Sequence, residues 1–211
     1  MARIVFDLDG TLVDSAPDVQ GVANALLAER GLPEVSLTQI HSFIGLGLGV
    51  LITRLRAARD IPETEQRLME ADFLARFEAA VGLTKLYPHV RETLIALEAG
   101  GHLLGLCTNK PLAPALALLE HLGLKRHFSK IIAGDSLAVR KPDPAPLLAA
   151  FEMGGAGPNY YVGDSVTDAQ CAKAAGVDFL LFTEGYPGEG LADLPKRGSF
   201  GDFRALPDLI I

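Results

Sequence analysis

Residues 4–14 read Ile-Val-Phe-Asp-Leu-Asp-Gly-Thr-Leu-Val-Asp. Asp7 and Asp9 follow a short apolar run with two β-branched members, which predicts a buried strand ending in two carboxylates. On extended backbone, positions i and i+2 point the same way. Both acids therefore reach one spot, and Leu8 turns aside. Carboxylates that close cannot both stay ionised unless a cation lies between them; otherwise one keeps a proton. Either state suits chemistry on a bound substrate. A plain Asp-Gly turn is the alternative, and the rest of the chain decides between the two.

Further polar residues stand at the ends of other predicted strands. His102–Cys107 runs into Thr108-Asn109-Lys110. Lys130–Ala133 precedes a loop holding Arg140-Lys141-Pro142-Asp143-Pro144, and Tyr160–Val162 runs into Gly163-Asp164-Ser165. Asp168, four residues beyond Asp164 at a helix start, shares its face. Carboxylate oxygens suit Mg²⁺, a hard ion that often shares a substrate phosphate. Lys141 is a point charge suited to phosphate. The Thr108 hydroxyl and the amides around Asn109 add donors. With metal and lysine neutralising a phosphoryl group, Asp7 is the candidate nucleophile. Asp9 is the candidate acid for the leaving oxygen and base for water. Enzymatic accelerations of phosphate-monoester hydrolysis reach roughly 10²¹-fold, so several groups must act together.

The elements that position these residues form two patterns. Between Ser15 and Gly82 only helices are predicted. Ser15 with Asp18 fits a capping box for the first, and Gly31 closes it. Ser36 with Gln39 opens the second, Leu48–Arg59 the third, and Pro62–Val81 the fourth, with Leu68, Phe73, Leu74 and Phe77 on its apolar side. From residue 85 strands alternate with helices at Val90–Ala99, Leu112–Leu122, Ala145–Met153 and Val166–Ala175, with a further strand at Phe179–Phe182. That alternation predicts an α/β fold, a doubly wound parallel sheet, which places its site at the carboxyl ends of strands. The division expected is a core of residues 1–14 and 85–211 and a small helical domain of residues 15–84. The tail from Glu184, rich in Gly and Pro, is expected to wrap the surface before a last apolar Leu209-Ile210-Ile211.

Composition narrows the partners. The chain has 211 residues, 49% hydrophobic and 21% charged, with a formal net charge of −7. A chain of this size buries roughly 70% of its unfolded surface without staples. The negative charge disfavours nucleic acid and anionic membranes, and an anionic substrate then needs a metal or local positive charge. Cys107 and Cys171 lack ligand spacing and fit a reduced, cytoplasmic setting. No leader peptide and no run of 18 apolar residues is read. Monomer and homodimer stay equally open.

With these motifs in order, the chain resembles the haloacid-dehalogenase superfamily of phosphatases. The resemblance is carried by Asp7-Leu8-Asp9-Gly10-Thr11, Thr108, Lys141 and Gly163-Asp164-Ser165-Val166-Thr167-Asp168. It spans almost the whole chain. The run Phe6–Pro17, with Gly31-Leu32-Pro33 and Lys141-Pro142, looks closest to the phosphoglycolate phosphatases. The resemblance implies a helical C1 cap after the first motif and an aspartyl-phosphate intermediate. It implies Mg²⁺ held by Asp7, the Asp9 carbonyl and Asp164, phosphate held by Thr108 and Lys141, and Asp168 in support. His89 stands where such enzymes often carry Gly.

Other features are weighed and set lower. Gly45-Leu46-Gly47-Leu48-Gly49 lacks the third glycine of a dinucleotide fingerprint and lies between helices. It reads as a break between helices, or as amides, Gly47 among them, that face the substrate. Arg54, Arg56 and Arg59 read as solvated; of these, Arg54 is the candidate for a substrate carboxylate. Dehalogenases do not need the second acid. No lysine occurs between Ser15 and Thr84 for Schiff-base chemistry. A sugar-phosphate mutase stays open until phosphate release is measured, and a non-catalytic phosphate-binding module would be expected to have lost Asp7 or Asp9.

Overall fold

A computed structural model describes residues 1–188 and 190–210. Its strands and helices, in chain order, are β1 (Arg3–Phe6), β2 (Val13–Asp14), α1 (Ala16–Ala28), α2 (Leu37–Phe43), α3 (Leu48–Ala57), α4 (Gln66–Phe77), β3 (Lys85–Leu86), α5 (Val90–Ala99), β4 (Leu103–Cys107), α6 (Leu112–His121), β5 (Lys130–Ile132), α7 (Ala145–Ala150), β6 (Asn159–Gly163), α8 (Val166–Ala175), β7 (Asp178–Phe182), β8 (Gly198–Phe200) and α9 (Leu206–Leu209). Six strands form one sheet in the order β5-β4-β1-β6-β7-β8. Every pairing in it is parallel, with Phe6 in register with Leu106 on one side and Val162 on the other.

Period-2 alternation divides the strand side chains between two apolar layers. Ile4, Phe6, Tyr160, Val162, Leu180 and Phe182 pack with Leu94 of α5 and Leu118 of α6. Val5, Tyr161, Phe179 and Leu181 pack on the other face with Leu147 of α7 and Cys171 of α8. Both faces are covered, which is why these strands read as continuous apolar runs. No helix among the described residues is long and apolar enough to cross a membrane.

Helices α1–α4 bury a separate cluster that includes Leu26, Ile52, Leu55, Met69 and Phe73. Helix α2 starts at the expected capping box, with Ser36 Oγ accepting the Gln39 N–H and the Gln39 side chain accepting the Ser36 N–H. The chain enters and leaves this block through β2 and β3, which pair antiparallel with Asp14 opposite Lys85.

Three expectations are corrected. Ser15 does not form a capping box: its backbone is helical (φ −99°, ψ −4°) and its hydroxyl donates to Asp9 Oδ1 at 2.6 Å instead. Asp18 faces the other way and accepts from the Leu83 N–H, the Thr84 N–H and the Thr84 hydroxyl. On α4 the inward residues are Met69, Phe73 and Phe77, while Leu68 (55% exposed) and Leu74 (37%) face out. Met69, Phe73 and Phe77 recur at i, i+4 and i+8 and so share one face, which leaves Leu68 and Leu74 off it. The tail is no surface wrap: β8 extends the sheet, and Phe200, Phe203 and Leu206 are buried against Phe182. Ile211 lies outside the described residues. His89 caps α5 at φ 65°, a left-handed conformation a non-glycine residue rarely adopts, with Nδ1 3.1 Å from Asp202 Oδ1.

Candidate active site

Adjacent strands deliver the site. Asp7 follows β1, Thr108 follows β4 and Asp164 follows β6, so their side chains leave the same edge of neighbouring strands. Lys141 arrives from the loop after β5. The residue is 2% exposed, and its ammonium meets three acceptors: Asp168 Oδ1 at 2.7 Å, Asp7 Oδ1 at 2.9 Å and the Tyr161 hydroxyl at 2.7 Å. Tyr161 in turn donates to Asp168 Oδ1 at 2.6 Å. Asp168 also closes a capping box on α8, accepting from the Ser165 N–H and hydroxyl. One residue therefore starts the helix and anchors the lysine.

Asp7, Asp164 and Asp168 offer oxygens within 4.8 Å of one another. Burial pushes the Asp7 carboxyl up to about 7, with Lys141 pulling the other way. Burial also raises Asp164, and the neighbouring Asp168 and Asp7 add to it. Burial alone would raise Asp168 too, but the charge and hydrogen bond of Lys141 bring it below the usual range. For Lys141, burial disfavours the ammonium and the Asp168 and Asp7 carboxylates outweigh it, so it stays charged. The cluster is thus short of positive charge at Asp7 and Asp164.

Two glycines admit Asp164. A Cβ on Gly10 (φ 87°) would lie 2.3 Å from Asp164 Oδ2, and one on Gly185 would lie 2.2 Å from the Gly10 carbonyl. Asp164 accepts from the Thr11 hydroxyl and the Tyr186 N–H, both at 2.6 Å. An oxygen-only donor set, all carboxylate, fits a hard divalent cation. Asp7 Oδ1 adds to that fit: it is buried and, although an ion pair with Lys141, receives no well-directed hydrogen bond.

Asp9 reaches the same cavity as Asp7, as the i, i+2 spacing predicts. Its Oδ1 accepts from Ser15 and from Lys110 Nζ at 3.0 Å. Thr108 lines the cavity and its Oγ1 accepts the Lys110 N–H. The Asn109 side chain is turned to its neighbours: it exchanges hydrogen bonds with the Lys141 backbone and donates to the Gly45 carbonyl at 2.9 Å. Gly47, at φ 86°, begins α3 and lines the cavity wall. Arg54 is not brought there. It donates to the Ser42 carbonyl and lines a second cavity of about 870 Å³, between α2 and the 185–188 segment. The cavity over Asp7 is small, about 50 Å³, and walled on one side by Leu48, Phe73 and Phe77. Lys110, Tyr161 and Tyr186 are site residues that motif reading passes over. Lys110 alone had a sequence signal, a cation two residues past Thr108.

Residues 4–182 match the model of the haloacid dehalogenase-like hydrolases. The chain belongs to that family. This hydrolase is 45% identical over 213 residues to a phosphoglycolate phosphatase of Cereibacter sphaeroides, covering 100% of this chain and 98% of that one. It is 41% identical to the phosphoglycolate phosphatase of Rhodobacter capsulatus, covering 98% and 95%. Among solved structures, a predicted phosphoglycolate phosphatase from Haemophilus somnus superposes with a TM-score of 0.89 at 33% identity, covering 98% of this chain and 96% of that one.

Proposed function

We propose that this hydrolase is a Mg²⁺-dependent phosphomonoesterase of the cytoplasm whose substrate is 2-phosphoglycolate, released as glycolate and phosphate. The core, residues 1–14 and 85–211, carries the chemistry, and residues 15–84 serve as the cap that closes it. The carrying observation is Asp7. Its Oδ1 stands 2.9 Å from the Lys141 ammonium, at a cavity it shares with Asp9 and Thr108. A carboxylate so placed attacks phosphorus and takes the phosphoryl group as an aspartyl-phosphate. Asp9 gives a proton to the departing oxygen and recovers one from the water that hydrolyses the intermediate. Thr108, the amides beside Asn109, and Lys141 hold the phosphoryl oxygens. Asp7, the Asp9 carbonyl and Asp164 would hold Mg²⁺, with Asp168 behind them. The ion supplies positive charge against the cluster and the phosphoryl group when bound.

The substrate assignment is supported by the full-length relatives, which carry that name. The net charge of −7 argues against nucleic acid or membrane partners. The test measures phosphate release from a panel of phosphorylated metabolites with Mg²⁺. The highest kcat/KM is expected for 2-phosphoglycolate, and Asp7→Asn is expected to lower kcat at least about a thousandfold. Retained turnover in Asp7→Asn would move the nucleophile elsewhere. A sugar phosphate isomerised without steady phosphate release would mark a mutase.

A further inference from the structure

We propose that Lys110 is the specificity residue for an anionic leaving group, seating a carboxylate carried one methylene from the ester oxygen. The inference deepens the 2-phosphoglycolate reading and rests on it. Among the described residues that line the cavity over Asp7, Lys110 is the only cation. Its side chain is 4% exposed. Its ammonium lies 3.0 Å from Asp9 Oδ1 and 4.0 Å over the Phe77 ring, on the seam between core and helical block.

The two lysines of the site are spent differently. Lys141 is engaged wholly inside the acidic cluster, donating to Asp168 and Tyr161 and pairing by charge with Asp7. Lys110 meets one carboxylate and one ring face among the described residues, so donors remain for a ligand in the cavity. The opposite wall is Leu48, Leu51, Phe73 and Phe77. A carboxylate entering beside these side chains loses its water and meets Lys110 as the one cation among the lining side chains, with the Arg140 guanidinium set behind Gly47. Gly47 and Leu48, at the N-terminal end of the ten-residue α3, line the same wall and add a partial positive charge. Arg54, the cation expected in this role from sequence, faces the other cavity.

Position accounts for the double contact of Lys110. A charge that pairs with Asp9 and reaches the leaving group stands where the ester oxygen departs. A substrate with a carboxylate there is drawn to the proton donor, and a neutral ester of equal size gains nothing from Lys110.

The test compares kcat/KM for 2-phosphoglycolate and isobutyl phosphate, which puts a neutral branched carbon of similar size in place of the carboxylate, using the Mg²⁺-loaded enzyme. The wild type is expected to prefer 2-phosphoglycolate. Lys110→Met lowers both rates, because Asp9 loses a partner, but lowers 2-phosphoglycolate at least about tenfold further, chiefly through KM. Ser15→Ala, which takes away Asp9's other side-chain partner without a charge, should lower both in parallel. Equal losses in Lys110→Met would overturn the inference and leave Lys110 as a partner of Asp9 alone. Should Lys110→Met fail to fold, Lys110→Gln carries the same comparison. A wild type inactive on 2-phosphoglycolate would overturn the proposed function and this inference with it. A wild type that prefers it, beside a variant that keeps the preference, would overturn this inference alone.

Discussion

Tyr186 ties three parts of the molecule together, and Tyr186→Phe cuts one of the ties. Its N–H donates to Asp164 Oδ2 at 2.6 Å. Its ring stacks on His41 (4.8 Å, 22°) and packs into the apolar cluster of α1–α4. Its hydroxyl donates to Asp14 Oδ1 at 2.5 Å and accepts the Ala16 N–H at 3.2 Å. Burial, and next the hydrogen bond to Asp14, push the phenol far above its usual range, so the hydroxyl keeps its proton at any working pH. The substitution removes the hydroxyl alone. A hydrogen bond to a charged group contributes about 1.5–3 kcal/mol. The lower end applies here, because Asp14 is half-buried and still accepts the Ala16 N–H at 3.3 Å. A loss of about 1.5 kcal/mol weakens the closed arrangement roughly tenfold. In a chain of 211 residues it lowers Tm by about 3–6 °C. Calorimetry reads the first effect, and kcat/KM for 2-phosphoglycolate, expected to fall up to about tenfold, reads the second. A variant with unchanged Tm and kcat/KM would refute the tie.

Two further perturbations follow from the same contacts. Asp18→Ala strands the Leu83 and Thr84 donors that its 5%-exposed carboxylate accepts, and should cost about 2–4 kcal/mol in urea unfolding; a loss below about 0.5 kcal/mol would show the clamp idle. His102 is held below its usual 6.5 by burial and then by the N-terminal ammonium, and its Nδ1 accepts the Ala2 N–H at 3.2 Å. As pH falls below 6.5 the unfolded chain takes a proton that the folded ring refuses, so stability declines with acid until the folded ring titrates. His102→Asn should flatten that decline between about pH 7.5 and 5.5, and an unchanged slope would assign it to other groups.

The parts of this fold that sequence made legible are those set by local rules. Val90–Ala99 and Val166–Ala175 fall where expected, because Gly100-Gly101 ends one and Ser165 with Asp168 caps the other. Asp7, Thr108, Lys141, Asp164 and Asp168 were legible because a parallel sheet gathers the ends of its strands at one edge. What stayed hidden depends on register across the sheet or on distant segments. Tyr161 reads as a core strand residue, and only its register beside β1 sets its hydroxyl against Lys141 and Asp168. Tyr186 sits in a Gly-Pro segment without periodicity, and 22 residues separate it from the carboxylate its N–H meets. Asp18 carried a cap signal that was locally sound and lost to a partner 66 residues away.

The same distant contacts explain how closure of the cavity can be felt at the chemistry. The helical block joins the sheet through β2 and β3, paired to each other, so the two linkers must bend as one ribbon. Asp18 fastens the start of α1 to the second linker, and Tyr186 fastens the first linker to the segment that meets Asp164. Lys110 then spans from Asp9 to Phe77 on α4. A movement of the block away from the sheet therefore cannot leave the acids untouched. It pulls Lys110 between Asp9 and Phe77, and it pulls Tyr186 between Asp14 and Asp164. Asp9 and Asp164, the proposed proton donor and metal ligand, are thus tied through Lys110 and Tyr186 to the block that carries the apolar wall of Leu48, Phe73 and Phe77, so a cap movement that excludes water would be transmitted to both acids.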